Sequence, residues 1–215
     1  MSDPFYTTIR LIGSHVFWLT GRPTVVGVER TRRDGPYLLA ATHTSPYDVA
    51  LLIYHSKRKL DFVSSTDVFR NPLVAWFYGS LNAFPLDRSR PDASTVRVIL
   101  DRLSRRRVVA MFPEGRFCKG AASVVHTRKI RPGIGRIAQL ANVPIVPVVI
   151  VNSEAYARFV SWLPVKRVHY GLIYGEPIEP AGDPAEIEQK LIDAYVSLHA
   201  EVGRQMAGAT PQRTV

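Results

Sequence analysis

Two hydrophobic periods alternate along this chain. Short apolar runs dense in Val, Ile, Leu and Tyr read as strands: TVVGVERT (24–31), PYLLAAT (36–42), LDFVSS (60–65), NAFPLD (82–87), RVVAMF (107–112), PIVPVVIV (144–151) and KRVHYGLIYG (166–175). Between them lie stretches whose apolar residues recur at helical spacing. These predict helices from Pro46 to about Lys57, over most of 67–81, over 92–106 with Asp92 or Ser94 near the cap, over 133–142, and over 183–206 with Pro184 near the first turn. Strands alternating with helices predict an α/β fold: a single domain with a mixed, largely parallel sheet flanked by helices. In such a sheet the chemistry gathers at loops leaving the carboxyl ends of strands, where THTSPYD, LDRSR and FPEGR fall.

The first 22 residues form a segment of their own. Phe5, Ile9, Ile12, Val16 and Leu19 recur at helical spacing, and Tyr6, Leu11, Phe17 and Trp18 widen that face. Such a stripe suits core packing, and it also suits a helix lying in a membrane interface. A second stretch, YARFVSWLPVKR, sets Tyr156, Phe159, Trp162 and Leu163 beside Arg158, Lys166 and Arg167. The domain proper is expected over 23–206, with 207–215 a disordered tail.

Charge narrows the partners. Lys and Arg number 28 against 18 Asp and Glu, a formal net charge of +10. That excess favours nucleic acid, an anionic membrane or phosphorylated substrates; no nucleic-acid-binding module is present to support the first. One cysteine, Cys118, excludes an intrachain disulfide and a cysteine metal cluster, and a reducing location is expected. The start MSDPFYTT has no basic leader, so no signal peptide is predicted, and no apolar run is long enough to span a bilayer.

Four stretches carry candidate chemistry. In ATHTSPYD, Ser45 can cap a helix, Pro46 suits its first position, and Asp48 stands three after the cap, as in a capping box. His43 is left over by that reading. A carboxylate on one ring nitrogen fixes the tautomer and frees the other to accept a proton. In FPLDRSR, Arg88 follows an extended segment and offers a planar fork for phosphate. MFPEGR ends a strand in a turn where Gly115 allows close backbone approach, Glu114 can accept hydrogen bonds from hydroxyls, and Arg116 follows. VPIVPV is a buried strand. GIGRIA matches a dinucleotide-binding pattern, but basic HTRKIRP precedes it where a strand is required, so close helix packing is expected instead. No G-x-S-x-G nucleophile elbow occurs, which disfavours an esterase with a covalent acyl-enzyme.

HTSPYD, FPLDR, FPEGR and VPIVPV occur in one order, and over residues 36–151 the chain resembles the glycerolipid acyltransferase family, whose type member acts on 1-acyl-glycerol-3-phosphate. The chain departs from the family pattern in three places. Thr42 replaces the usual Asn, Arg116 and Phe117 stand where Thr and Arg are usual, and Arg131 stands in place of the lysine of a basic-plus-glycine motif. The resemblance implies a glycerol-3-phosphate acyltransferase-like fold. It also implies that His43 is the general base oriented by Asp48, that Arg88 and Arg116 hold an acceptor phosphate with Arg131 nearby, and that Glu114 and Gly115 shape the acceptor site. The donor would be acyl-CoA or acyl-carrier protein, with no metal or redox cofactor. The acceptor would be a lysophospholipid, on the cytoplasmic side of an anionic membrane, with the protein bound as a peripheral or monotopic one and no nucleic acid involved. Other readings are transfer to another lipid or glycolipid acceptor, and a non-catalytic basic membrane-binding protein.

Overall fold

The computed structural model describes residues 3–65, 83–86, 93–165 and 167–208. Its strands are β1 (Gly21–Val26), β2 (Tyr37–Ala41), β3 (Leu60–Ser65), β4 (Phe84–Leu86), β5 (Val108–Met111), β6 (Ile145–Val151) and β7 (Val168–Tyr174). Its helices are α1 (Asp3–Thr20), α2 (Tyr47–His55), α3 (Ala93–Ser104), α4 (Val124–Thr127), α5 (Ile134–Ala141) and α6 (Pro184–Gly208). The strands join in one sheet of order β1-β7-β6-β2-β5-β3-β4. Neighbours run parallel except β6 and β7, which are antiparallel. The sheet is therefore mixed and largely parallel, as the alternating pattern predicts. β6, β2, β5, β3 and β4 share one direction, so their carboxyl ends open on a single edge.

Both faces of the sheet are covered, which is why the central strands are nearly continuous apolar runs. Side chains alternate along a strand, so β2 sends Tyr37, Leu39 and Ala41 to the core beside α2 and sends Leu38 and Ala40 to the core beside α3, α5 and α6. Burial of each such Leu, Ile or Val stabilises by roughly 1.5–3 kcal/mol. Continued two residues further, that parity carries Thr42 to the α6 side and His43 to the α2 side.

One expectation changes in detail. The strand expected through Thr31 stops at Val26, because Gly27 turns at φ 71 and residues Val28–Arg32 form a 3-10 turn. Arg30 from that turn donates to the Tyr174 carbonyl at 2.6 Å, tying it to the end of β7. The aromatic-basic stretch near Trp162 forms two 3-10 turns, Ser153–Ala157 and Phe159–Trp162. The glycines of GIGRIA serve helix packing: Glu188 of α6 accepts the N–H groups of Gly133 (2.7 Å) and Gly135 (3.1 Å). A Cβ on Gly135 would lie 2.3 Å from the Pro184 carbonyl oxygen. The helix predicted over 67–81 and the tail after residue 208 lie outside the described residues.

α1 divides its apolar stripe. Tyr6 and Phe17 are buried, whereas Leu11, Ile12, Trp18 and Leu19 are exposed. Phe159, Val160 and Val165 are exposed as well, Phe159 at 80% and Val165 at 84%. The two stretches are neighbours. Phe17 lies 6.2 Å from Trp162, ring to ring, and Arg167 donates to the carbonyls of Trp18 (3.0 Å) and Leu19 (3.2 Å). Among the described residues no helix is long and apolar enough to cross a membrane.

Candidate active site

β2 ends at Ala41 and the chain turns at the carboxyl edge into α2. Ser45 Oγ accepts the Tyr47 N–H at 3.2 Å, while Asp48 reaches back to accept the Ser45 N–H at 2.9 Å. Asp48 thus makes its half of the capping box expected of SPYD, while Ser45 Oγ reaches Tyr47, one residue short of Asp48. The same Asp48 oxygen, Oδ2, also accepts from His43 Nδ1 at 2.9 Å and from the Thr44 N–H at 2.7 Å. One carboxylate thus starts the helix and holds the imidazole. Asp48 is fully buried and His43 nearly so. With Nδ1 committed to Asp48, proton transfer falls to Nε2.

The imidazole is held on its faces too. Phe112 stacks on it at 3.7 Å between ring centroids and 13° between planes, and Phe117 approaches at 4.4 Å. Both flank the PEGR turn after β5. Glu114 in that turn is buried, and each of its oxygens has a backbone partner: Oε2 takes the His43 N–H at 2.7 Å and Oε1 the Val124 N–H at 2.8 Å. Burial pushes its carboxyl above the usual range, against those two donors. Glu114 therefore locks the His43 backbone to the start of α4. The Cys118 N–H donates to the His43 carbonyl at 2.7 Å, closing the turn against the strand end.

Gly115 has φ +70, a left-handed conformation that favours glycine, and a Cβ there would come within 2.4 Å of Arg131 Nε. Arg131 crosses directly over this glycine, with its own N–H bound to the Pro113 carbonyl at 2.8 Å. Arg131 and Arg116 are both exposed around one turn. The structure thus brings together His43, Asp48, Glu114, Gly115, Arg116 and Arg131; Arg88 lies outside the described residues. Thr42, where the family has Asn, is buried, and its hydroxyl accepts the Ile150 N–H at 3.0 Å, fastening β2 to β6.

Sequence reasoning missed the partners of Asp48 Oδ1. Ser153, buried beyond the end of β6, donates to that oxygen and lies 2.8 Å from both Thr44 Oγ1 and Ser45 Oγ. It stands 105 residues after Asp48 in the chain, and a lone hydroxyl after a strand carries no local signal. The Phe112 and Phe117 contacts were nearer to hand, since both residues flank PEGR in the sequence.

The family model described as Acyltransferase matches residues 22–151. The chain is 26% identical over 179 residues to a 1-acyl-sn-glycerol-3-phosphate acyltransferase of Streptococcus pneumoniae, covering 81% of this chain and 63% of that protein. It is 24% identical over 164 residues to one of Bacillus subtilis, covering 76% and 77%. The chain therefore spans less than two thirds of the pneumococcal relative's length. In fold it is similar to the 1-acyl-sn-glycerophosphate (LPA) acyltransferase PlsC of Thermotoga maritima, with a TM-score of 0.63 and 21% identity over 98% of this chain and 81% of that one. With more than half of its length under the family model, including HTSPYD, FPEGR and VPIVPV, the chain belongs to the acyltransferase family.

Proposed function

We propose that this chain transfers a fatty acyl group from acyl-CoA or acyl-carrier protein to the free hydroxyl of a lysophospholipid, with 1-acyl-glycerol-3-phosphate the acceptor and phosphatidic acid the product. The observation that carries the reading is the buried His43–Asp48 pair, 2.9 Å apart, at the carboxyl edge of the sheet. His43 Nε2 takes the acceptor hydroxyl proton, and the oxygen attacks the thioester carbonyl. The tetrahedral intermediate collapses, the C–S bond breaks, and the leaving thiolate recovers the proton from His43. Asp48 holds the ring and balances its transient positive charge. Arg88, Arg116 and Arg131 neutralise the acceptor phosphate, while Glu114 acts on the site through the His43 backbone and Gly115 leaves room for Arg131. The names of the pneumococcal and Bacillus relatives support the acceptor.

The protein works as a peripheral or monotopic one on the cytoplasmic face of an anionic membrane. The exposed apolar residues of α1 and of 159–165 support this, since they adjoin one another beside Arg158 and Arg167.

A second reading, another lipid or glycolipid acceptor, is favoured by Phe117, which lies against His43 where the family pattern has arginine. Purified protein given labelled acyl-CoA or acyl-carrier protein and a panel of lysophospholipids separates the two. Acylation of lysophosphatidate is expected, with a loss of about 10²- to 10⁴-fold in His43→Ala and vesicle binding unchanged. Acylation of a different acceptor alone would give the site to the second reading, and near-normal turnover in His43→Ala would rule out the general base.

A further inference from the structure

Asp48 touches both His43 and the start of α2, and its two oxygens are served very differently. Oδ2 is fixed by His43 Nδ1 and by two backbone N–H groups, those of Thr44 and Ser45. Oδ1 relies on side-chain hydroxyls. Thr44 Oγ1 lies 3.4 Å from it, beyond a good O–H···O distance, whereas Ser153 Oγ is in close contact with it.

Proton counting assigns the network. A hydroxyl donates one hydrogen and accepts at its lone pairs. The ionised carboxylate only accepts, so the hydrogen between Ser153 and Asp48 belongs to Ser153. That hydrogen being spent, Thr44 Oγ1 and Ser45 Oγ, each 2.8 Å from Ser153 Oγ, donate to it. Ser45 Oγ keeps its lone pairs for the Tyr47 N–H. Every hydroxyl of this network is satisfied, and among the described residues Ser153 is the one close donor to Oδ1. It is fully buried, which strengthens the interaction and shields it from water.

The backbone delivers Ser153 to this place. β6 ends at Val151, and Asn152 takes a left-handed conformation at φ 62, which Asn tolerates better than most residues. Asn152 Nδ2 anchors the turn on the His169 carbonyl at 2.6 Å. The chain then enters the 3-10 turn with Ser153 aimed at the first turn of α2.

We propose that Ser153 is a positioning residue of the acyl-transfer site: its hydroxyl fixes the rotation of the Asp48 carboxylate, and so the direction in which His43 presents Nε2. This rests on the general-base reading above. Without its Oδ1 donor the carboxylate can tilt about its χ2 around the bonds that fix Oδ2, and the Nδ1 bond tilts the imidazole slightly between Phe112 and Phe117. The loss should appear in the chemical step and leave acceptor binding alone.

The test is steady-state kinetics on Ser153→Ala, Ser153→Thr, Asp48→Asn and the Ser153→Ala/Asp48→Asn double variant, with the acceptor that the wild type uses best and with thermal unfolding checked for each. The expected result for Ser153→Ala is a kcat lowered about tenfold, with KM for the acceptor within about twofold. Thr44 is then free to turn toward Oδ1, which keeps the loss modest. Ser153→Thr, which retains the hydroxyl, recovers most of the rate, and Ser153→Ala costs nothing further once Asp48 is Asn. A kcat loss below threefold, a loss carried in KM, or a loss that multiplies in full with that of Asp48→Asn overturns the proposal. Wild-type turnover in His43→Ala would instead overturn the general-base reading on which it stands. Loss in His43→Ala with none in Ser153→Ala removes the positioning role alone.

Discussion

Among the described residues two aspartates lie fully buried, one in the first turn of α2 at the carboxyl edge of the sheet and one on β3, and their partners differ in kind. Asp48, at the carboxyl edge, is surrounded by neutral donors: backbone N–H groups, a serine hydroxyl and an imidazole. Asp61, near the amino end of β3, is paired with two guanidiniums, Arg102 at 3.1 Å and Arg107 at 2.5 Å. Two fixed cations complete the neutralisation of Asp61 and leave it nothing to do but hold β3 to α3 and β5. Neutral donors desolvate and orient Asp48 without cancelling its charge, which therefore remains directed at His43. Burial alone does not tell these two carboxylates apart; the charge of their partners does.

The sharpest way to break this contrast is Asp48→Asn. The amide cannot accept from His43 Nδ1, Thr44 N and Ser45 N in the same manner, and it permits the wrong imidazole tautomer. Turnover is expected to fall by about 10²- to 10⁴-fold at a temperature where the variant remains folded by circular dichroism. A fall of less than tenfold would place Asp48 in the same class as Asp61, as a structural residue.

Asp61→Asn should do the reverse. It leaves two arginines without their anion, but Arg102 and Arg107 are 26% and 34% exposed and recover some hydration. The expected cost is therefore about 2–3 kcal/mol in urea unfolding, at or below the lower end for a broken buried pair, with kcat per folded molecule unchanged. A loss of turnover at full folding would show that the amino edge also reaches the chemistry.

The sequence made much of the carboxyl edge legible, because its parts are local. The capping box and the His43–Asp48 spacing sit within six residues, and strand parity sends His43 to the side where α2 begins. Glu114 was readable as a hydrogen-bond acceptor in this turn, but it meets two backbone N–H groups and not the hydroxyls expected of it, since a turn does not announce which N–H groups it will meet. Ser153 was illegible: its contact with Asp48 depends on β6 lying beside β2 and on a left-handed Asn152, and neither is written in the local pattern. The strand that ends early at Gly27 is a mixed case: the glycine that turns the chain is local, but the Arg30 bond that ties the following turn to the end of the neighbouring strand β7 is not.

A half-buried histidine refines the contrast with a smaller effect. His55, in the last turn of α2, has no carboxylate like Asp48 among its close partners; its Nε2 lies 3.0 Å from the Tyr170 hydroxyl, and Tyr54 and Tyr170 crowd its ring. Burial, with Lys57 adding repulsion, lowers its pKa from 6.5 to about 4. The folded form therefore keeps His55 neutral while the unfolded chain takes up a proton below about pH 6.5. Its contribution is complete above that pH and drains away as pH falls toward 4, by an amount on the order of 3 kcal/mol across the window. His55→Gln keeps a hydrogen-bonding group toward Tyr170 but does not titrate. Urea unfolding of both proteins between pH 7.5 and 4.5 should give a wild-type curve that steepens below pH 6.5 and a variant curve that is flatter there. Equal slopes would mean that water reaches His55 as freely in the fold as in the open chain. Burial without an anion would then no longer be what separates this histidine from the one that Asp48 holds.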